Sequence, residues 1–338
     1  MIKNNKTVKL SANENFYGCS PQVFKQIKNK LNEVSLYPES PERLKTAIAQ
    51  KFSVKPENVI VGAGSVRIIE SLILNFVGEN EEVLIFENSF IAYSQLCGFH
   101  NKKIKFAKLD NGVCNPDKLL ELINSKTKLI FISNPNNPTG TIISHRELEI
   151  FLNKISSDII VVIDEAYSEY VVDSNFPDSL KLLNNFNNLV ILHSFSKIYG
   201  LAGLRIGFGI ANKNLISKML ASQLPFTLNT VACDAAIAAL NDDFFLNYSK
   251  NKNRISLEYL FKNLKTIGFN IYPSQANFVF LWFERENQKD NFYNILLKHN
   301  ILVCDMKVFG QQNSIRITIG DLKTSKKIIK VLKEEYKF

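Results

Sequence analysis

Leu189-Val-Ile-Leu-His-Ser-Phe-Ser-Lys-Ile-Tyr-Gly-Leu-Ala-Gly-Leu-Arg-Ile-Gly-Phe208 is the stretch from which the rest of the chain can be ordered. Its apolar run, residues 189–192, reads as a buried strand. The strand delivers two hydroxyls, Ser194 and Ser196, and then Lys197. A glycine-rich segment follows, with Gly200, Gly203 and Gly207 around Arg205. A lysine directly after a core strand is costly unless it has a partner or a task, because a charged group loses its hydration there. A partly desolvated amine is also suited to nucleophilic attack on a carbonyl carbon. Read alone, the segment fits a surface turn better, since lysine is rarely buried. Its surroundings in the chain decide the matter.

Working outward, strands and helices alternate. Hydrophobic periodicity predicts strands at 59–61, 82–87, 103–107, 129–133, 159–164 and 189–194. Helices are predicted at 21–31, 42–52, 66–76, 91–98 and 116–124, and from Ser144, where Glu147 completes a capping box. Continuous apolar strands alternating with helices imply an α/β fold: a mostly parallel sheet in a three-layer αβα domain, here residues 37–243. Ligands then belong at the carboxyl ends of the strands. From residue 244 the texture changes to a long helix, short strands at 270–272, 277–282, 301–303 and 314–319, and helices at 292–298 and 323–337. This reads as a smaller α+β domain, 244–338, with residues 1–36 as an N-terminal segment packing on it.

A chain of 338 residues is long enough for two such domains. The net charge of +9 is diffuse. Its densest basic stretch, 323–337, carries Ile328, Ile329, Val331 and Leu332 on one face, so it reads as the solvated side of an amphipathic helix and not a nucleic-acid arm. Five scattered cysteines without a Cys-x-x-Cys, and four histidines without ligand spacing, point to reduced thiols and no metal site. No apolar run has the length of a membrane span, and residues 1–7 lack a signal-peptide core. A cytoplasmic protein with neither membrane nor nucleic-acid partner is expected.

The polar residues at the strand ends narrow the chemistry. Residues 59–64 resemble the opening of a dinucleotide-binding unit, which would make the chain a nucleotide- or flavin-binding oxidoreductase. However, Arg67 stands at the third glycine position of that fingerprint. What survives is a helix N-terminus at Ser65 and Val66 that can seat a phosphate. Asn137 lies in the loop Asn134-Pro-Asn-Asn-Pro-Thr-Gly140. Asp164 and Tyr167 lie in Asp-Glu-Ala-Tyr. A phosphate seat, a buried carboxylate and a lysine are jointly what pyridoxal 5'-phosphate requires. The lysine forms the Schiff base, and the carboxylate keeps the pyridine nitrogen protonated. Asn137 and Tyr167 could hydrogen-bond the ring oxygen, while Ser194, Ser196 and Arg205 complete the phosphate seat.

In this order and spacing the motifs resemble the fold-type I pyridoxal-phosphate aminotransferases, of the aspartate aminotransferase-like fold, and among them the histidinol-phosphate aminotransferase branch. Asn13-Glu-Asn, Tyr37-Pro, Ser274-x-Ala-Asn277-Phe-Val and Arg316-Ile-Thr-Ile-Gly320 match that branch as well, so the resemblance covers nearly the whole chain. It implies Lys197 as the Schiff-base lysine, Asp164 as the pyridinium partner, and Tyr93 stacked on the ring. It implies a homodimer in which Tyr37 reaches the phosphate of the neighbouring subunit's cofactor, and Arg316 and Asn13 at the substrate.

The chain departs from the branch at three places. A tyrosine-bearing N-terminal arm has no counterpart. The phosphate seat reads Gly64-Ser-Val-Arg67 in place of Gly-Ser-Asp-Glu. Val303-Cys304-Asp305 stands for Val-Arg-Asp. A lost guanidinium removes a charge-assisted contact worth about 1.5–3 kcal/mol. The expected reaction is therefore transamination between L-glutamate/2-oxoglutarate and a small phosphorylated ketone, either a three-carbon compound such as dihydroxyacetone phosphate or imidazole-acetol phosphate. A decarboxylase of threonine- or serine-phosphate type is the alternative within the same fold.

Overall fold

The computed structural model describes residues 7–337; residues 1–6, part of the stretch read as lacking a signal-peptide core, lie outside it. In chain order the elements begin with β1 (Val8–Leu10), α1 (Pro21–Lys30), α2 (Glu42–Phe52), β2 (Val59–Gly62), α3 (Ser65–Phe76), β3 (Glu82–Phe86), α4 (Ala92–Phe99) and β4 (Lys103–Ala107). There follow α5 (Asp117–Leu120), β5 (Thr127–Ser133), α6 (His145–Lys154), β6 (Ile160–Asp164), α7 (Ser179–Leu183), β7 (Leu189–Ser194), β8 (Gly207–Ala211), α8 (Lys213–Leu220) and α9 (Ala232–Leu240). The chain ends with α10 (Asp243–Ile267), β9 (Asn270–Ile271), β10 (Phe278–Trp282), α11 (Glu286–Lys298), β11 (Ile301–Asp305), β12 (Ser314–Thr318) and α12 (Leu322–Glu335).

The larger sheet has the order β2-β8-β7-β6-β5-β3-β4, parallel throughout except for β8. Side chains alternate across it. Val83, Ile85, Leu129, Phe131 and Val162 pack under α3, α4 and α8, whereas Leu84, Phe86, Ile130, Ile132 and Val161 pack under α5, α6 and α7. Both faces are thus covered, which is why these strands read as unbroken apolar runs. At the β2–β8 end, α1, α2 and α9 close a third core around Val23, Leu44, Ile48 and Ala235. The capping box at Ser144 and Glu147 forms as expected.

The smaller sheet runs β1-β11-β12-β10-β9. Val279, Leu281, Ile315 and Ile317 point into the core beneath α10, α11 and α12. By the period of two, Phe280 and Arg316 project from the opposite face. The N-terminal segment is divided between the two units. Strand β1 pairs with β11, but Val23 of α1 sits in a core of the larger unit, so the segment does not pack on the smaller one alone.

Two local readings change. The helix expected at 116–124 contracts to α5. At its far end Thr127 Oγ1 accepts from Asn124 N, and Asn124 Oδ1 accepts from Lys126 N, which offers the backbone a turn in place of a helix. Strand β8 was hidden by its glycines. A Cβ at Gly209 would lie 3.1 Å from Ile60 and 3.2 Å from Leu192, a tight fit between the strands β2 and β7 on either side that the small residue relieves. This strand also ends the dinucleotide reading. Its partner β2 is an edge strand whose one neighbour runs antiparallel, and β3 lies on the far side of the sheet.

Candidate active site

The carboxyl ends of β2, β5, β6 and β7 open on one cavity of about 210 Å³. Ser65, Val66, Asn137, Asp164, Tyr167, Ser194, Ser196, Lys197 and Arg205 all line it, joined by Phe90 and Ser133. The register explains the convergence. Gly207 pairs with Gly62 on one side and with Ser194 on the other, so the start of α3 and the hydroxyls after β7 meet across a single residue.

That meeting tolerates no side chain. A Cβ on Gly207 would lie 2.5 Å from the backbone nitrogen of Ser65, and one on Gly64 would lie 2.5 Å from Arg205 Nη2. Arg205 itself has φ 52, a left-handed conformation uncommon for a residue with a side chain. Its Nη1 donates to Ser196 Oγ at 3.3 Å and to the carbonyl of Ala202 at 2.9 Å, while Ser196 N donates to Ser194 Oγ at 3.1 Å. A helix N-terminus, hydroxyls and a guanidinium converging in this way can hold a phosphate.

Asp164 is buried at the floor of the cavity. Burial raises its pKa, opposed by the Tyr93 hydroxyl, the Ala166 N–H and the charge of Lys197. Tyr93 O–H donates to Asp164 Oδ2 at 2.9 Å, and Ala166 N to Oδ1 at 3.1 Å. A carboxylate so placed needs a cation, and a protonated pyridine nitrogen is one. Lys197 Nζ lies 5.3 Å from the centroid of the Tyr167 ring. The Tyr167 hydroxyl accepts from Asn13 Nδ2 at 3.0 Å. Asn13 also accepts from Thr318 Oγ1 at 3.1 Å, so its amide is engaged with protein on both sides and serves to orient Tyr167.

Tyr93 is not where the resemblance implied. It lies one turn inside the cavity wall, in α4, fully buried and stacked on Phe131 at 4.7 Å with an interplanar angle of 7°. The aromatic side chain that this wall presents to the cavity, besides Tyr167, is Phe90, edge-on to Tyr93 at 5.5 Å. Its signal in the sequence was position, since it stands in the loop just past the predicted strand 82–87. Tyr37, expected at a neighbouring subunit's cofactor and not at its own, is 79% exposed and stacks on Phe226 at 4.5 Å, outside this cavity.

A second lobe of about 270 Å³ adjoins the first, sharing Ala12, Phe90, Asn137, Tyr167 and Lys197 with it. Arg316 reaches this lobe from the smaller sheet. Its Nη1 donates to Asn137 Oδ1 at 2.6 Å and its Nη2 to the Ser11 carbonyl at 3.2 Å. Its Nε is buried without a partner, as is Ser89 Oγ, and both residues line this lobe. Cys304, opposite Arg316 in the β11–β12 pairing, is buried with Phe280 and Met306 and does not line the lobe.

Residues 5–332 match the family model for aminotransferase class I and II. The chain belongs to that family. Among relatives of this aminotransferase, the histidinol-phosphate aminotransferase of Halalkalibacterium halodurans is 37% identical over 314 residues, covering 93% of this chain and 85% of the relative. The histidinol-phosphate aminotransferase of Clostridium acetobutylicum superposes with a TM-score of 0.87 at 26% identity, covering 97% of this chain and 98% of that one. The Sinorhizobium meliloti enzyme of the same name, solved in complex with pyridoxal-5'-phosphate, shares the fold with a TM-score of 0.89 at 22% identity, covering 98% and 91%. The cofactor of this aminotransferase is pyridoxal 5'-phosphate. The residues present fit it: a phosphate seat with no room for a Cβ, a buried carboxylate in want of a cation, and a lysine between them. Among the described residues no helix is long and apolar enough to cross a membrane.

Proposed function

We propose that the chain transfers an amino group between L-glutamate/2-oxoglutarate and a small phosphorylated ketone, with a three-carbon compound of the dihydroxyacetone phosphate kind as acceptor. The observation that carries this is Arg316. It is a buried guanidinium in the lobe beside Lys197; among the described residues its Nε has no hydrogen-bond partner, and it is the one cation lining the lobe besides Lys197. A phosphate or carboxylate satisfies it. A large or doubly charged acceptor finds no second guanidinium there among the described residues, because the position paired with Arg316 across β11 and β12 is a cysteine, Cys304.

In this reading Ser65, Val66, Ser194, Ser196 and Arg205 hold the cofactor phosphate, Asp164 the ring nitrogen, Asn137 and Tyr167 the ring oxygen, and Phe90 the ring face. The bound cofactor supplies an aldehyde for the amine and a ring that accepts electrons from the substrate carbon. Lys197 Nζ anchors it and takes the proton from the amine-bearing carbon of the substrate, acting as base and then acid. Because Asn137 Oδ1 is occupied by Arg316, the group Asn137 offers the cavity is its NH2. Tyr37, among the exposed apolar residues Val34, Leu36, Leu224 and Phe226, belongs to the contact with a second copy of the chain.

Purified protein is assayed with glutamate against dihydroxyacetone phosphate and imidazole-acetol phosphate, following 2-oxoglutarate. Phosphoserine and phosphothreonine are assayed for release of carbon dioxide. The reading requires the three-carbon ketone to be the better acceptor, and a cofactor absorbance that survives dialysis in the parent and is lost in Lys197→Ala. Faster turnover of imidazole-acetol phosphate, or carbon dioxide from a phosphorylated amino acid, overturns it.

A further inference from the structure

The substrate lobe has a wall that the residues named so far do not explain. It is the turn after β11, a 3-10 segment Met306–Phe309 closed by Gly310 with φ 83, followed by Gln311. Met306, Phe309 and Gln311 all line the lobe. Met306 is 2% exposed and packs with Phe280 and Cys304, and Phe309 packs against the same cluster.

The turn is fastened from behind. Asp305 Oδ1 accepts from Lys307 N at 2.9 Å, and its Oδ2 accepts at 2.8 Å from the buried Lys289 Nζ. Lys307 Nζ in turn reaches Glu286 Oε1 at 2.8 Å. Two ion pairs therefore tie the turn to α11, one of them with a lysine that is 1% exposed. Lys289 Nζ also pairs with Asp290 Oδ1 at 2.6 Å, so the turn is held to α11 by a small network of ion pairs around a buried lysine.

Among the described residues lining the lobe, only Lys197 and Arg316 are charged. An anionic head drawn to Arg316 leaves the remainder of the acceptor facing Met306, Phe309 and Ile91. We infer that the turn at 306–311 is the specificity-determining wall, with Met306 and Phe309 limiting the size of the uncharged part of the acceptor. The inference rests on the transaminase reading above but makes a separate claim, that the size limit comes from these two side chains.

The test measures kcat/KM with glutamate and each of two acceptors, dihydroxyacetone phosphate and imidazole-acetol phosphate, for holoenzyme carrying Met306→Ala, Phe309→Ala or the milder Phe309→Leu. The expected result is a rise of about tenfold or more in the ratio of the ring-bearing to the three-carbon acceptor, the scale of a methylene-sized change in an apolar pocket. Val308→Ala, on the same turn but 76% exposed and outside the lobe, keeps the parent ratio. Cofactor absorbance shows that each variant retains its site. An unchanged ratio in all three wall variants overturns the inference. A parent enzyme that already prefers imidazole-acetol phosphate overturns the proposed acceptor instead, while the shift in ratio still tests the wall.

Discussion

Asp164 illustrates how little separates a working carboxylate from an inert one. Burial alone pushes it toward its neutral form, and two hydrogen bonds to protein with one nearby ammonium oppose that. Tyr93 supplies one of those bonds from below, so its contribution to the site is made through the carboxylate. Tyr93→Phe keeps the stack on Phe131 and deletes the donor. A hydrogen bond to a charged group is worth about 1.5–3 kcal/mol, so cofactor affinity should fall by roughly tenfold to a hundredfold. The sign with pH follows. Losing a donor to the ionised form raises the Asp164 pKa further, so the acid limb of cofactor binding, read by fluorescence titration, should move to higher pH. Phe90→Ala should weaken binding without moving that limb, because Phe90 faces the cavity and not the carboxylate. If the two variants behave alike, Tyr93 has been given the wrong task.

At the scale of elements, the site depends on how closely α3 approaches the loop after β7. Gly207→Ala should force Ser65 N away from its 2.5 Å encounter with the new Cβ, with overpacking worth about 1–3 kcal/mol of stability. The same displacement opens the phosphate seat, so the variant should lose affinity for pyridoxal phosphate more than for its dephosphorylated analogue, pyridoxal. Equal losses for the two would place the damage elsewhere. This crowding also explains what the sequence could and could not disclose. Strands β5, β6 and β7 were legible because both faces are buried and their apolar runs are unbroken. Their ends named Asn137, Asp164 and Lys197 directly. Strand β8 was not legible, since glycines required by the spacing to β2 and β7 carry no periodic signal. Tyr93 was implied by the family resemblance alone, and only the packing shows that Phe90 is the ring facing inward. The wall at 306–311 had no motif, and it becomes visible only when the smaller sheet is laid against the larger.

At the scale of the whole molecule, two features remain, one at the surface and one inside. Tyr37 and Phe226 stack on each other while both stay exposed, with Leu36 and Leu224 nearby, and such a patch is a docking surface more often than a solvent face. Phe226→Asp should therefore shift the sedimentation of the holoenzyme to the monomer and reduce activity with it; a monomeric parent would refute the pairing. Inside, Glu165, Glu169 and His193 lie under the site, with His193 Nε2 at 3.8 Å from Glu165 and Nδ1 at 4.0 Å from Glu169. Burial pushes Glu165 up to about 8 and Glu169 up to about 7, and it depresses His193 to about 3. Burial is opposed first by the backbone N–H of Glu169 itself and then by the charge of Lys250. Between about 4.5 and 7 the unfolded chain releases this proton while the folded chain retains it, so the Glu169 contribution to stability declines as pH rises through that window. His193 acts in the opposite sense between about 3 and 6.5, where the unfolded chain alone is protonated and rising pH favours folding. Glu169→Gln removes only the first effect. The Tm of the variant minus that of the parent should therefore grow from about pH 5 to about pH 7 and level off above it, with a slope of at most about 1.4 kcal/mol per pH unit in stability. A difference that stays flat across that range, or shrinks, would mean that Glu169 is already ionised in the folded chain and paired with Lys250.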